Sequence, residues 1–116
     1  MADSVIFQGW DRQVPGREKQ SMQLFQKALA YYSKLKTEGK IESFETVILT
    51  PHGGDLNGFI LVRGDAKKLS EAYNDPQAVE MRVEANYCLS GFGSVLGYTG
   101  ESLTKIFAQW TKLIGS

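Results

Sequence analysis

Two neighbouring segments of this chain are apolar without alternation, and that pattern limits the folds open to it. Val47-Ile48-Leu49 is the centre of one, from Ile41 to Thr50; Phe59-Ile60-Leu61-Val62 is the centre of the other, from Leu56 to Arg63. Between them lies Pro51-His52-Gly53-Gly54-Asp55, a run of turn residues. Two strands joined by so short a Gly-rich turn read as an antiparallel hairpin. An antiparallel sheet with one solvated face shows apolar and polar residues in alternation. A hairpin that is apolar on both sides needs cover on both.

The remaining segments supply one layer of that cover. Ser4 to Gln8 is β-branched and aromatic and reads as a first strand, followed by a loop from Gly9 to Arg17. From Glu18 to Glu38, Met22, Phe25, Leu29, Tyr32 and Leu35 recur at helical spacing, and Gly39 follows as a cap. Asp65 is placed to cap a short helix from Ala66 to Tyr73. Asp75-Pro76 restarts a second segment through Asn86, with Ala78, Val79, Val83 and Ala85 as its apolar side. A Gly-broken strand is expected over Phe92 to Tyr98. Ser102 to Ile114 reads as a last helix, with Leu103, Ile106, Phe107, Trp110, Leu113 and Ile114 on one wide stripe. The order is β-α-β-β-α-β plus one helix, the split βαβ signature of an α+β, ferredoxin-like fold with an antiparallel sheet. Two helices then cover one face. The chain has no internal repeat, so a second copy, joined through the sheet face in a two-fold dimer, is the expected cover for the other. The last helix fits either its own subunit or the partner.

Length and charge narrow the function. The 116 residues fit one domain, 1–116. The 13 basic and 13 acidic side chains cancel, and Lys34, Lys36 and Lys40 are diluted by Glu38 and Glu42, so no nucleic-acid partner is expected. No apolar run nears the ~18 residues of a membrane span. Cys88 is the sole cysteine, which excludes an internal disulfide. With no charged-then-apolar leader evident, a reducing cytoplasm is the expected compartment.

Element order, size and the doubly apolar hairpin resemble the dimeric α/β-barrel superfamily, in which two subunits pack sheet to sheet. The Asp75-Pro76 restart, the helix after it and the Gly-broken last strand also look like the YCII-related members. The resemblance covers nearly the whole chain as a pattern of elements. It implies a homodimer and a small pocket. The activities it admits range from monooxygenases without cofactors to isomerases, haem-binding enzymes and stress-related proteins. YCII-like proteins place a His–Asp pair after the first strand. Here the only His lies on the hairpin turn, so that site does not carry over.

The candidate chemistry comes from two loops. His52 is a natural general acid or base, with Asp55 close by to orient it. Trp10-Asp11-Arg12 follows the first strand, where Asp11 can accept a proton and Arg12 can hold an anion. Asn57 at the start of the third strand and Tyr98 at the end of the last are candidate hydrogen-bonding groups for a ligand. His52, Asp11 and Asp55 are thus the expected catalytic residues, and Trp10, Arg12, Asn57 and Tyr98 the expected binding residues. One His, one Cys and scattered carboxylates give no metal-ligand spacing, so no metal or cofactor is expected. The expected function is cofactor-independent acid–base work, of isomerase or monooxygenase type, on a small aromatic or acidic metabolite. A non-catalytic ligand-binding or stress-related module is the alternative.

Overall fold

The computed structural model describes residues 2–115. Its central strand is β1 (Ser4–Trp10), and a two-residue strand β2 (Arg12–Gln13) follows. Then come α1 (Glu18–Thr37), β3 (Ser43–Ile48), β4 (Gly58–Gly64), α2 (Ala66–Tyr73) and α3 (Pro76–Cys88). The chain ends with β5 (Leu89–Ser90), β6 (Gly93–Tyr98) and α4 (Gly100–Ile114). The main sheet runs β3-β4-β1-β6 and is antiparallel throughout. This is the ferredoxin-like α+β arrangement that the element order implies. The short strands β2 and β5 pair with each other beside it.

Strand alternation assigns the faces. Ser4, Ile6, Gln8 and Trp10 of β1 point to the helices, as do Ile60 and Val62 of β4. Against them pack Leu24, Tyr31, Tyr32 and Leu35 of α1, Leu69 of α2, and Ala78, Met81 and Ala85 of α3. The opposite parity carries Val5, Phe7, Val47, Phe59, Leu61 and Val95 on a face that no helix covers. Phe7 and Phe59 stack there with ring centroids 5.2 Å apart.

Two helix faces differ from their sequence expectation. Met22 is exposed, whereas Ser21 and Leu24 are buried. On α3 the inward residues are Ala78, Met81, Ala85 and Cys88, while Val79 and Val83 face outward. The predicted caps form as expected: Asp65 accepts from the Lys68 N–H at 3.1 Å, and Asp75 from the Gln77 N–H at 3.1 Å. Gly39 at φ +75° ends α1 in the left-handed conformation.

Tyr31 ties α1 to the start of α3 by donating its hydroxyl to Asp75 Oδ2 at 3.3 Å. Burial, and then the Asp75 carboxylate, push its pKa up to about 12. Tyrosine in an unfolded chain titrates near ~10. The folded state therefore holds this proton more tightly, and the stability it contributes is complete below about pH 10. That stability is lost as pH rises through about 12. The urea midpoint is expected to fall across this alkaline window, and to fall less in Tyr31→Phe. Equal falls in the two proteins would show that the Tyr31–Asp75 contact does not couple stability to pH.

Candidate functional site

The site hangs from the C-terminal half of β1. Gln8 and Trp10 point to the helix side, and Asp11 and Arg12 follow where the strand leaves the sheet. Trp10 pairs with Gly58 of β4. A Cβ at Gly58 would lie 2.7 Å from Trp10 Cζ2, so glycine is what lets the indole lie flat over β4. The Trp10 carbonyl accepts from the Asn57 N–H at 2.9 Å, and the Asn57 carbonyl accepts from the Leu49 N–H at 2.9 Å. These two bonds continue the sheet by one rung and fix Asn57 beside Asp11.

A cavity of about 690 Å³ opens between these residues and the helices. Its walls are Trp10, Phe25, Ala28, Met81, Ala85 and Phe92. That volume lies within the range of small-molecule sites. Small side chains make it: Ser21 and Ala28 on α1 face Ala78 and Ala85 on α3 where the far end of the core has Leu35, Tyr31 and Leu69. An open apolar space of this size in a small domain is the candidate site.

Two polar groups meet the cavity inside the core. The Gln8 amide donates to the Tyr32 hydroxyl, and both residues line the space. Burial raises the pKa of Tyr32, although the Gln8 hydrogen bond opposes it. The phenol therefore keeps its proton and can offer it to a ligand oxygen. Across the sheet, Gln8 lies in a transverse row with Thr46, Ile60 and Ser94. The Thr46 and Ser94 hydroxyls are buried with no hydrogen-bond partner among the described residues.

At the mouth, Asn57 Nδ2 donates to Asp11 Oδ1 at 2.5 Å, and Arg12 Nε lies 3.8 Å from the same oxygen. Trp10, Asp11, Arg12 and Asn57 all line the cavity, as the sequence suggests. His52 does not reach it. It lines a shallower depression of about 260 Å³ shared with Asp11, Arg12 and Asn57, and its Nδ1 is 3.0 Å from the Thr50 carbonyl. Asp55 is exposed on the same loop and lines neither space. Tyr98 pairs with Ser4 at the other end of β1, with its side chain 62% exposed, and takes no part. The antiparallel pairing of β6 with β1 puts the end of β6 beside the start of β1, so a residue ending the last strand sits a full strand length from Trp10. Gln8 escaped the sequence reading, and Tyr32, a possible hydrogen-bond donor by residue type, reads as core there. Gln8 shares the inward parity of Ile6 and Trp10, which was the available signal; Tyr32 on the helix stripe looks like core, and its ring is core. Among the described residues no group of three His, Cys, Asp or Glu side chains is placed to hold a metal ion. No helix among them is long and apolar enough to cross a membrane.

No family model matches the chain, and no curated protein matches it. Solved structures that share its fold include the following two. One is a dimeric protein of unknown function and ferredoxin-like fold from Bacteroides fragilis. It is 12% identical, with a TM-score of 0.56, over 83% of this chain and 96% of that one. The other is SnoaB, a cofactor-independent oxygenase from Streptomyces nogalater. It is 14% identical, with a TM-score of 0.50, over 84% of this chain and 92% of that one.

Tyr32→Phe tests the inner polar pair. It removes the hydroxyl and leaves the Gln8 amide buried without that acceptor. A loss of roughly 1–3 kcal/mol is expected from urea denaturation, the scale of an unsatisfied buried group. An unchanged midpoint would mean that Gln8 finds another partner.

Proposed function

We propose that this protein is a homodimer whose cavity binds a small aromatic or acidic metabolite. We further propose that it acts on that metabolite without a cofactor, in isomerase or oxygenase chemistry. The observation that carries this reading is the apolar cavity with one fixed carboxylate at its mouth. Trp10, Phe25 and Phe92 offer flat apolar surface to a ring. The Tyr32 hydroxyl, already accepting from Gln8, has its own proton free to donate to a ligand oxygen.

Isomerisation and cofactor-free oxygenation share a first step, removal of a proton to give a stabilised anion. Asp11 is the base in this reading. Asn57 holds its carboxylate in place, and Arg12 balances the anion that results. The apolar walls keep the local dielectric low, which strengthens the pull of Tyr32 and Arg12 on developing charge. His52, in the adjoining depression with Asp11, is placed to exchange protons with solvent. The SnoaB likeness supports cofactor-independent chemistry at the level of fold alone.

The dimer forms through the sheet face that carries Val5, Phe7, Val47, Phe59, Leu61 and Val95. The Bacteroides fragilis protein, which is dimeric, supports a dimer. Left open, an apolar face of this kind marks an interaction surface.

Two measurements test the reading. The dye 8-anilinonaphthalene-1-sulfonate should fluoresce on binding one site per chain, and Ala28→Trp, which fills the cavity, should abolish that signal. Retained binding in the filled variant would place the dye elsewhere and remove the cavity's claim. Deuterium exchange at the acidic C–H of 2-tetralone, followed by NMR, reads the proton step. Acceleration by the wild type, lost by roughly 10²–10⁴-fold in Asp11→Asn, is expected of a general base. Dye binding without acceleration would favour the non-catalytic binding module.

A further inference from the structure

The last helix is amphipathic and lies outside the core. None of its residues is buried. Phe107 and Trp110 stack on each other with centroids 5.4 Å apart, yet remain 50% and 55% exposed, and Ile114 is 84% exposed. The shape of the chain records the same fact. The radius of gyration is 15.9 Å, against about 13 Å for a compact domain of this length. The longest extent is 54 Å against 23 Å for the shortest.

The root of this helix is nonetheless anchored. The Thr99 N–H donates to the Asp3 carbonyl at 3.2 Å, and Ser102 Oγ lies 3.4 Å from Asp3 Oδ2. The other Asp3 oxygen accepts from the Ala66 N–H at 2.9 Å, at the start of α2. The start of the helix is therefore tied to Asp3, just before β1, at the β6 edge of the sheet, while none of its residues is buried. We infer that α4 crosses to the second copy and buries its Leu103, Phe107, Trp110 and Ile114 stripe there, as part of the same dimer interface. This rests on the sheet-to-sheet dimer proposed above.

Area favours a second copy as the occupant. Four strands at ~4.8 Å spacing and six residues at ~3.4 Å give a sheet footprint of roughly 400 Å². A stable interface takes about 800 Å² from each partner. A 15-residue helix is about 22 Å long and about 10 Å wide. Crossing over, each α4 buries its own stripe and an equal patch of its partner, adding roughly 400 Å² per protomer and closing the gap. A two-fold operation gives each copy one helix and one receiving surface, so neither stripe is left over. A membrane surface is the weaker occupant. The polar side of α4 holds Glu101, Lys105 and Lys112 among Ser, Thr and Gln, with no basic cluster to draw anionic lipid.

In Trp10→Phe, Trp110 is the sole tryptophan. At concentrations where sedimentation shows a dimer, its iodide quenching constant should be several-fold below that of free tryptophan, and dilution to monomer should restore it. A dimer with freely quenched Trp110 would overturn the crossing while leaving the dimer intact. Shielding that persists in the monomer would mean that the helix folds back on its own chain, and would also overturn it. Shielding only after adding phosphatidylglycerol vesicles would assign the stripe to membrane. A monomer at every concentration would remove the dimer and the crossing together. As a second variant, Phe107→Glu should raise the dimer Kd by roughly tenfold or more, the scale of a lost interface anchor, with unchanged far-UV circular dichroism and unchanged dye binding in the cavity. An unchanged Kd would overturn the crossing.

Discussion

The register of β1 against β4 is the constraint on which everything else depends. Side chains of a strand alternate between faces, so a slip of one residue would send Gln8 and Trp10 to the open face and bring Phe7 and Gly9 inward. In the observed register Trp10 meets Gly58, the one residue type that leaves room for the indole. The next rung is the Asn57–Trp10 backbone bond, and it puts the Asn57 amide on the Asp11 carboxylate. Wall, mouth and inner polar pair are thus three consequences of a single alignment. A central strand paired on both sides, to β4 and β6, is the most rigid place from which to build them.

The helices then decide that the space above this strand stays open. On α1 and α3 the small residues Ser21, Ala28, Ala78 and Ala85 line this space, whereas the other end of the core is filled by Leu35, Tyr31 and Leu69. Leucines at the alanine positions would close the gap and add burial worth about 0.8 kcal/mol per methylene. The sequence forgoes that stabilisation at one end of the domain and takes it at the other. The buried, partnerless Thr46 and Ser94 hydroxyls lie in the row that runs through Gln8, so polar groups that cost stability also gather near this end. Local departures of this kind from good packing concentrate where proteins bind and react.

How far the sequence disclosed this differs by element. The hairpin, the caps at Asp65 and Asp75 and the stop at Gly39 were legible because each is a local signal with a local cause. Trp10, Asp11 and Arg12 were legible as candidates from one loop and Asn57 from the start of another strand, and the pairing of β1 with β4 brings them together. Tyr98 was read from its place at a strand end alone; the expected antiparallel sheet, with the last strand beside the first, already sets it opposite Ser4 and away from Trp10. His52 and Asp55 looked like partners through proximity in sequence, but an exposed Gly-rich loop holds one beside a shallow depression and leaves the other in solvent. Met22 lies on the exposed side of α1 and Leu24 on the buried side, and periodicity within one helix cannot report which side its neighbours cover.

The same division between local and non-local causes bears on assembly. Non-alternating strands said that both faces of the sheet need cover, and one chain supplies helices for only one of them. The wide stripe of α4 said that this helix also needs cover, and its exposed Phe107 and Trp110 find none in the core. These are two unmet demands in one sequence, and they lie side by side because β6 runs into α4 at the rim of the open face. A helix folded back over its own sheet would satisfy both at once, but no residue of α4 is buried against its own chain. Apolar surface in water costs about 25 cal/mol for each Å². Two such surfaces on one chain are the physical ground for the proposed exchange with a second copy.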